Sequence, residues 1–203
     1  MAARSSLLAN VALAAWLGAD AVRVFILAEN LAGEAVEIAA AAAILPAAAF
    51  VLLRPLPLAQ DARPAAVGVA MTAVLLPGLM SMLAADAGRP AGALLAVQAL
   101  AVLLMGASIL WLGCNFSVLP QYRFLVTGGP YALVRHPLYA SYLMFDGALA
   151  AAGGSALAAG LWLAEAMLLS LRARMEERLL EASDPTFAAY KARVPCRFVP
   201  FLA

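Results

Sequence analysis

The sequence is poor in the residues that carry most catalytic and metal chemistry. It has one histidine, two cysteines and 12% charged residues in 203 positions. One His with two distant cysteines, Cys114 and Cys196, cannot build a zinc site of the usual Cys/His type. No Ser-His-Asp or Cys-His arrangement emerges, and the cysteines give no paired framework of the secreted kind. We therefore expect no bound metal.

Charge of either sign is also scarce. The net charge of +1 gives no bulk attraction to nucleic acid, whereas soluble domains average about 25% charged residues. What is abundant is apolar: 66% of residues are hydrophobic, and the mean hydropathy is +0.93. Such a chain cannot bury its apolar surface within itself, so we predict an all-α, polytopic transmembrane helix bundle.

Six apolar segments approach the roughly 20 residues that a membrane-crossing helix needs. They are Leu7–Ala28, Ala35–Leu53, Ala65–Ala85, Ala91–Gly113, Pro137–Ala152 and Ala156–Leu171. The N-terminus could pass for a signal peptide, but its apolar run continues past the small residues of the would-be cleavage site and favours a retained helix.

These segments suggest one integrated domain in two parts. Residues 1–113 form a four-helix transmembrane region, and residues 114–203 form a polar loop, a helical hairpin, an emerging amphipathic helix and a Pro-punctuated tail. Only Gly153, Gly154 and Ser155 separate the last two segments, which predicts a tight hairpin.

Basic residues predict the orientation. Eleven of the 13 Lys and Arg residues fall on the side of the N-terminus, Arg89 alone falls on the opposite side, and Arg23 lies within the first segment. Because Lys and Arg accumulate in cytoplasmic loops, both termini, the loop and the tail are expected in the cytosol.

The loop and the sixth helix bring polar groups to this cytosolic face. Pro137 suits the first turn of a helix and biases His136 away from helical angles, so His136 should cap the fifth segment. With Arg135 beside it, this helix N-terminus favours an anionic group such as a carboxylate. Arg172 and Glu176 are four residues apart and share one helix face.

Each of these features also has a purely structural explanation. Arg, His and Tyr are common at membrane interfaces. Ionisable groups inside the apolar segments are costly and often functional, yet Asp20 with Arg23, and Asp146 and Glu165, could equally be paired structural groups.

The run LVTGGPYALVRHPLYASYL, Leu125 to Leu143, resembles the signature of the isoprenylcysteine carboxyl methyltransferase and phospholipid methyltransferase group. The later RMEERLL, FAAY and VPCRFVP stretches resemble the same group's C-terminal pattern. The resemblance spans Asn115 to Pro200, and the first four segments match only in being apolar.

The resemblance implies an integral membrane enzyme that transfers a methyl group from S-adenosylmethionine to a lipophilic acceptor. By motif position, the cofactor-binding residues are Gln121, Arg123, Leu125, Val126, Tyr131, His136, Pro137, Tyr139, Glu176 and Glu177. The residues expected to act on the reacting groups are Arg172, Glu176 and His136, with Arg172 facing the acceptor and His136 positioning. Two positions depart from the pattern: Arg123 stands where relatives often have His, and Cys196 where they often have Arg.

The acceptor stays open between a prenylated cysteine carboxylate, a phospholipid amine, and a small apolar thiol or acid. Two other classes also stay open. Membrane sterol reductases resemble this group in their C-terminal cofactor region but use NADPH, and a non-catalytic membrane protein would bind neither cofactor. Apart from the acceptor, membrane lipid is the expected partner.

Overall fold

The computed structural model describes residues 35–84 and 91–200, together with residue 15. Several sequence-based predictions lie outside these residues: the first segment Leu7–Ala28, the Asp20–Arg23 pair, and the positions of Arg4 and Arg89.

The described chain is helical. Its α-helices are α1 (Ala35–Leu53), α2 (Pro64–Ala84), α3 (Ala93–Leu112), α4 (Pro137–Gly153), α5 (Ala156–Ser183) and α6 (Phe187–Arg193). Two short antiparallel strands, β1 (Ala59–Gln60) and β2 (Gln121–Tyr122), pair Ala59 with Tyr122 and Gln60 with Gln121. The all-α prediction is confirmed for this part of the chain. The tiny β-ladder was not foreseen.

Glycine and proline set the limits of the predicted helices. Pro137 occupies the first turn of α4, and His136 stands at its N-cap with φ −127° and ψ 62°. Gly154 ends α4 in the left-handed region at φ 59°, which glycine adopts without steric cost. The Ser155 side chain then accepts from the Ala158 N–H at 3.0 Å and caps α5. The tight hairpin is therefore as predicted.

The helix α4 lies at the centre of the packing. It contacts α3, α5 and α2, while α1 packs on α3 and α2 packs on α5. One buried cluster joins Val51 of α1, Met105 and Ile109 of α3 and Leu138 of α4. A second joins Ala73 of α2, Tyr139 of α4 and Leu169 of α5. These contacts fix the start of α4 against the middle of α5.

Two of the described helices are long and apolar enough to cross a membrane. The first is α3 with the short 3-10 turn that follows it, Ala93–Asn115, of mean hydropathy 2.3, and the second is α5, of mean hydropathy 1.4. Their outer faces are apolar and uncovered: Leu103 on α3 is 71% exposed and Leu163 on α5 is 61% exposed. Uncovered apolar surface of this kind suits lipid better than water.

The tail differs from the prediction. It contains the helix α6, although the sequence had suggested only a polar, Pro-punctuated segment. Phe187 and Tyr190 of α6 are buried and form a small cluster with Val194, packed against Leu125 and Leu180. This packing, rather than local helix propensity, holds the seven residues of α6 in place.

Candidate functional site

A pocket opens where the segment after α3 meets the start of α4, the middle of α5 and α6. Its cavity volume is about 130 Å³. Eight of the residues predicted from the sequence line it: Gln121, Leu125, Val126, Tyr131, His136, Tyr139, Arg172 and Glu176. The other three, Arg123, Pro137 and Glu177, do not line it.

His136 is held on every side of its ring. Its Nε2 lies 3.3 Å from Glu177 Oε1 and its Nδ1 lies 3.8 Å from Glu176 Oε2. The ring stacks on Tyr139 with centroids 5.3 Å apart and planes 9° apart. Its backbone N–H donates to the Arg197 carbonyl at 2.9 Å. The imidazole is thus fixed in the pocket wall between two carboxylates.

Arg172, Glu176 and Tyr139 form a compact group. Arg172 Nε donates to Glu176 Oε1 at 3.1 Å, as the four-residue spacing predicted, and its Nη2 donates to the Ser117 carbonyl at 3.1 Å. The Tyr139 hydroxyl donates to Glu176 through a short hydrogen bond. The guanidinium also lies over the Tyr139 ring, 5.1 Å from its centroid, in the range of a cation–π contact. A cation and an anion are therefore displayed side by side in the pocket.

Glu177 bonds to Arg135, Arg197 and His136 and does not line the pocket. Its carboxylate accepts from Arg135 Nε at 2.8 Å and from Arg197 Nη2 at 2.8 Å, and it faces His136. Arg135 also donates to the Val194 and Pro195 carbonyls. Successive helical residues point in directions about 100° apart, so Glu176 faces the pocket while Glu177 faces the tail.

Gln121 and Arg123 connect the pocket to the segment that follows α1. Gln121 Oε1 accepts from the Ser117 hydroxyl at 2.9 Å and from Arg123 Nη2 at 2.8 Å. Arg123 Nε donates to the Pro55 carbonyl at 2.8 Å, and neither residue lines the pocket. Burial, with a contribution from Arg54, lowers the pKa of Arg123 to about 10. Arg123 therefore orients Gln121.

The 3-10 turn Gly129–Ala132 closes the side of the pocket at Tyr131. A Cβ on Gly129 would stand 2.4 Å from two indole carbons of Trp111, and the φ of Gly129 is +56°. The turn therefore lies flat on the Trp111 ring, which only glycine permits. Tyr190 of α6 donates its hydroxyl to the Tyr131 carbonyl at 2.7 Å.

Both phenols of this wall are protonated at neutral pH. Burial raises the pKa of Tyr131 well above its ordinary value, and burial raises the pKa of Tyr190 to about 12. Neither ring therefore carries charge, and the Tyr190 hydroxyl is held by its hydrogen bond to the Tyr131 carbonyl.

Several residues that line the pocket were not predicted from the sequence, among them Asn115, Phe116, Tyr142, Phe187 and Tyr190, whereas Arg135 was expected beside an anionic group. A helical spacing could have indicated Tyr142, because it follows Tyr139 by three positions on one face of α4. Phe187 and Tyr190 reach the pocket through α6, which the sequence did not predict.

The pocket can hold a ligand with a polar, charged end and a flat or apolar end. Arg172, Arg135 and Glu176 supply opposite charges, while Tyr131, Tyr139 and the apolar pair Leu125 and Val126 supply flat or apolar surface. Among the described residues, no group of three or more His, Cys, Asp or Glu side chains is placed to hold a metal ion.

Comparisons with known proteins give limited matches. The chain is 44% identical over 75 residues to the cobalt-zinc-cadmium resistance protein CzcN of Cupriavidus metallidurans, covering 36% of this chain and 35% of that protein. It is 36% identical over 107 residues to the nickel-cobalt-cadmium resistance protein NccN of Alcaligenes xylosoxydans xylosoxydans, covering 52% of this chain and 50% of that protein. No protein-family model matches the chain. The chain thus spans half or less of the length of these two relatives, both named for resistance to metals.

Proposed function

We propose that the protein is an integral membrane methyltransferase that transfers a methyl group from S-adenosylmethionine to a lipophilic acceptor. The observation that carries this proposal is the convergence of two distant stretches on one pocket. The segment around His136 and the Arg172–Glu176 turn of α5, which together carry the sequence resemblance, meet there beside uncovered apolar helices.

The residues of the pocket suit this cofactor in charge and chemical character. S-adenosylmethionine combines a positively charged sulfonium, an amino-acid end and a flat adenine. Glu176 can attract the positive charge, and the ring of Tyr131 offers a stacking and cation–π surface. Leu125 and Val126 supply apolar contact of the kind that ligand pockets use.

When bound, the sulfonium supplies an activated methyl group, so the protein has mainly to align the reactants and exclude water. His136 is fixed between Glu176 and Glu177. In this proposal it would hold the cofactor in position. Arg172 orients an anionic acceptor headgroup. An amine acceptor must also lose a proton, and the Glu176 carboxylate, which lines the pocket, is the candidate base.

The membrane arrangement belongs to the same proposal. We infer six membrane segments, with both termini, the pocket and α6 on the cytosolic side, because this arrangement gathers the basic residues there. The acceptor would then reach Arg172 from the bilayer while its apolar tail stays in lipid.

The decisive experiment titrates the purified protein, in lipid nanodiscs, with S-adenosylmethionine and separately with NADPH. We expect the wild-type protein to bind S-adenosylmethionine. The variant Glu176→Gln should raise the Kd for this cofactor by about tenfold or more, the usual effect of losing a charge-assisted hydrogen bond. The matched control is Glu181→Gln on the same helix, whose exposed carboxylate pairs with Lys191 and should leave binding unchanged.

A second step supplies methyl-labelled cofactor with a panel of phospholipid amines, prenylcysteines and lipophilic thiols. Label in one acceptor class would identify the substrate. NADPH binding without S-adenosylmethionine binding would instead favour a reductase of the sterol-reductase type, and binding of neither would favour a non-catalytic membrane protein.

The partial similarity to two metal-resistance proteins suggests the setting of this activity. We propose that methylation contributes to tolerance of cobalt, zinc, cadmium or nickel. Cells that express the wild-type protein should grow at higher metal concentrations than cells that express Glu176→Gln at equal abundance. Equal growth of the two strains would show that methylation does not contribute to metal tolerance.

A further inference from the structure

A line of polar side chains runs from the pocket into the α4–α5 hairpin. Tyr139, Tyr142 and Asp146 follow one another on one face of α4, at helical spacing. The rings of Tyr139 and Tyr142 stack with centroids 6.4 Å apart. Tyr142 interacts electrostatically with Arg172 towards the pocket and with Glu165 and Asp146 away from it. The line ends at the carboxyl groups of Asp146 and Glu165.

These two carboxyl groups are deeply buried and face each other. Asp146 is 4% exposed and Glu165 is fully buried, and the two interact directly across the hairpin. No donor among the described residues bonds to either oxygen of Glu165. The Glu165 carboxyl therefore lies buried in the hairpin, on a helix apolar enough to cross a membrane, with the Asp146 carboxyl as its polar contact.

The neighbouring elements supply no compensating charge within the described chain. The helices α2 and α3, which pack on the hairpin, carry no titratable side chain between Pro64 and Ala84 or between Ala93 and Leu112. Gln98 of α3 donates to the Phe145 carbonyl at 3.5 Å. Among the described residues, Tyr142 interacts with both members of the pair, and Arg172 lies about 10 Å further along α5 than Glu165.

We propose that Asp146 and Glu165 form a proton-binding site within the hairpin, at which two carboxyl groups hold one proton between them. Two adjacent carboxylates cannot both be ionised in a low-dielectric interior without a counter-charge. A single shared proton removes one of the two charges and turns one carboxyl into a donor for the other. The ligand of this site is a proton, exchanged with water, and no bond other than O–H forms or breaks.

Infrared spectroscopy of the purified full chain in lipid nanodiscs tests this directly. A protonated carboxylic acid absorbs at a different frequency from an ionised carboxylate and shifts in heavy water. At neutral pH we expect the wild-type protein to show a carboxylic-acid band that the double variant Asp146→Asn, Glu165→Gln loses. Glu181→Gln, which removes an exposed carboxylate of the same helix, should keep the band.

The isosteric amides imitate the protonated acids, so we expect the double variant to melt within a few degrees of the wild type. If the double variant does not fold, the infrared spectrum of the single variant Asp146→Asn tests the proposal instead. Glu165 should then retain a carboxylic-acid band at a shifted frequency. A neutral-pH spectrum that shows only ionised carboxylates at these positions would overturn the proposal. So would a band that appears only after chelation, because the pair would then bind a metal cation. Both outcomes are independent of whether S-adenosylmethionine binds.

Discussion

At the scale of single residues, the adjacent carboxylates Glu176 and Glu177 differ in their contacts, and we expect them to differ in role. Glu177 is 3% exposed and is bonded by Arg135 and Arg197, whereas Glu176 faces the pocket. Removing one partner of a buried ion pair costs about 3–5 kcal/mol, because the remaining charge stays buried without compensation. We therefore expect Glu177→Gln to lower the free energy of unfolding by about that amount.

Glu176→Gln is the matched comparison for this prediction. It should cost clearly less in unfolding free energy, because Glu176 is more exposed than Glu177, while it weakens cofactor binding. Urea unfolding of both variants measures the difference. A larger loss of stability in Glu176→Gln than in Glu177→Gln would contradict the division of roles.

Tyr190 gives a pH-dependent prediction. Burial raises its pKa to about 12, against about 10 for an exposed phenol. The stability that its neutral form contributes is complete below about pH 10 and is lost as the pH rises through about 12. Between pH 9 and 12, the wild type should therefore lose unfolding free energy more steeply than Tyr190→Phe. Parallel stability curves for the two proteins would show that Tyr190 does not titrate in this range.

At the scale of elements, the turn on Trp111 can be tested with two glycines of similar backbone angle. Gly129 and Gly154 have φ +56° and +59°, but only Gly129 has Trp111 within contact of an added Cβ. Gly154→Ala should cost about 1–2 kcal/mol from the left-handed backbone alone. Gly129→Ala should cost more, because the indole ring must move as well.

Removing the indole provides the control for that comparison. In a Trp111→Ala background the steric part should vanish, so that Gly129→Ala and Gly154→Ala become nearly equal in thermal unfolding. If Gly129→Ala stays more costly in that background, the turn is held by something other than its packing on Trp111.

The elements also show what sequence patterns can and cannot predict. The bounds of α1 and the turn between α4 and α5 follow from apolar length, a glycine and a Ser cap, all of which are local signals. The helix α6 lacks such signals, since it is short and is held by packing on Leu125 and Leu180. The β1–β2 pairing joins residues about sixty positions apart, and a two-residue ladder leaves no alternation to detect.

The same limit applies to the site. The motif around His136 and the spacing of Arg172 and Glu176 placed three central residues in the pocket. The sequence could not distinguish Glu176 from Glu177, because which of them meets Arg135 and Arg197 depends on the path of the tail. Arg123 was expected at the cofactor for the same reason: its partner, the Pro55 carbonyl, has no signature in the sequence.

At the scale of the whole molecule, the proposed orientation predicts which positions reagents can reach from outside the cell. In a variant with Cys114 and Cys196 replaced, a cysteine can be placed at exposed Ala91 or at exposed Ala182. We expect Ala91→Cys to react with a membrane-impermeant maleimide in intact spheroplasts. Ala182→Cys should react only after the membrane is opened. The reverse pattern would show that the protein has the opposite orientation in the membrane.

The pairing of the tail with the start of α4 has a consequence for biogenesis. The backbone N–H groups of Arg135 and His136 donate to the carbonyls of Cys196 and Arg197 at 3.0 and 2.9 Å. The hairpin of α4 and α5 is complete in sequence at residue 183, but these two bonds cannot form until residue 197 has left the ribosome. The wall of the pocket is therefore completed only after α4 and α5 have been made, so a nascent chain that has folded as far as α5 has no finished pocket.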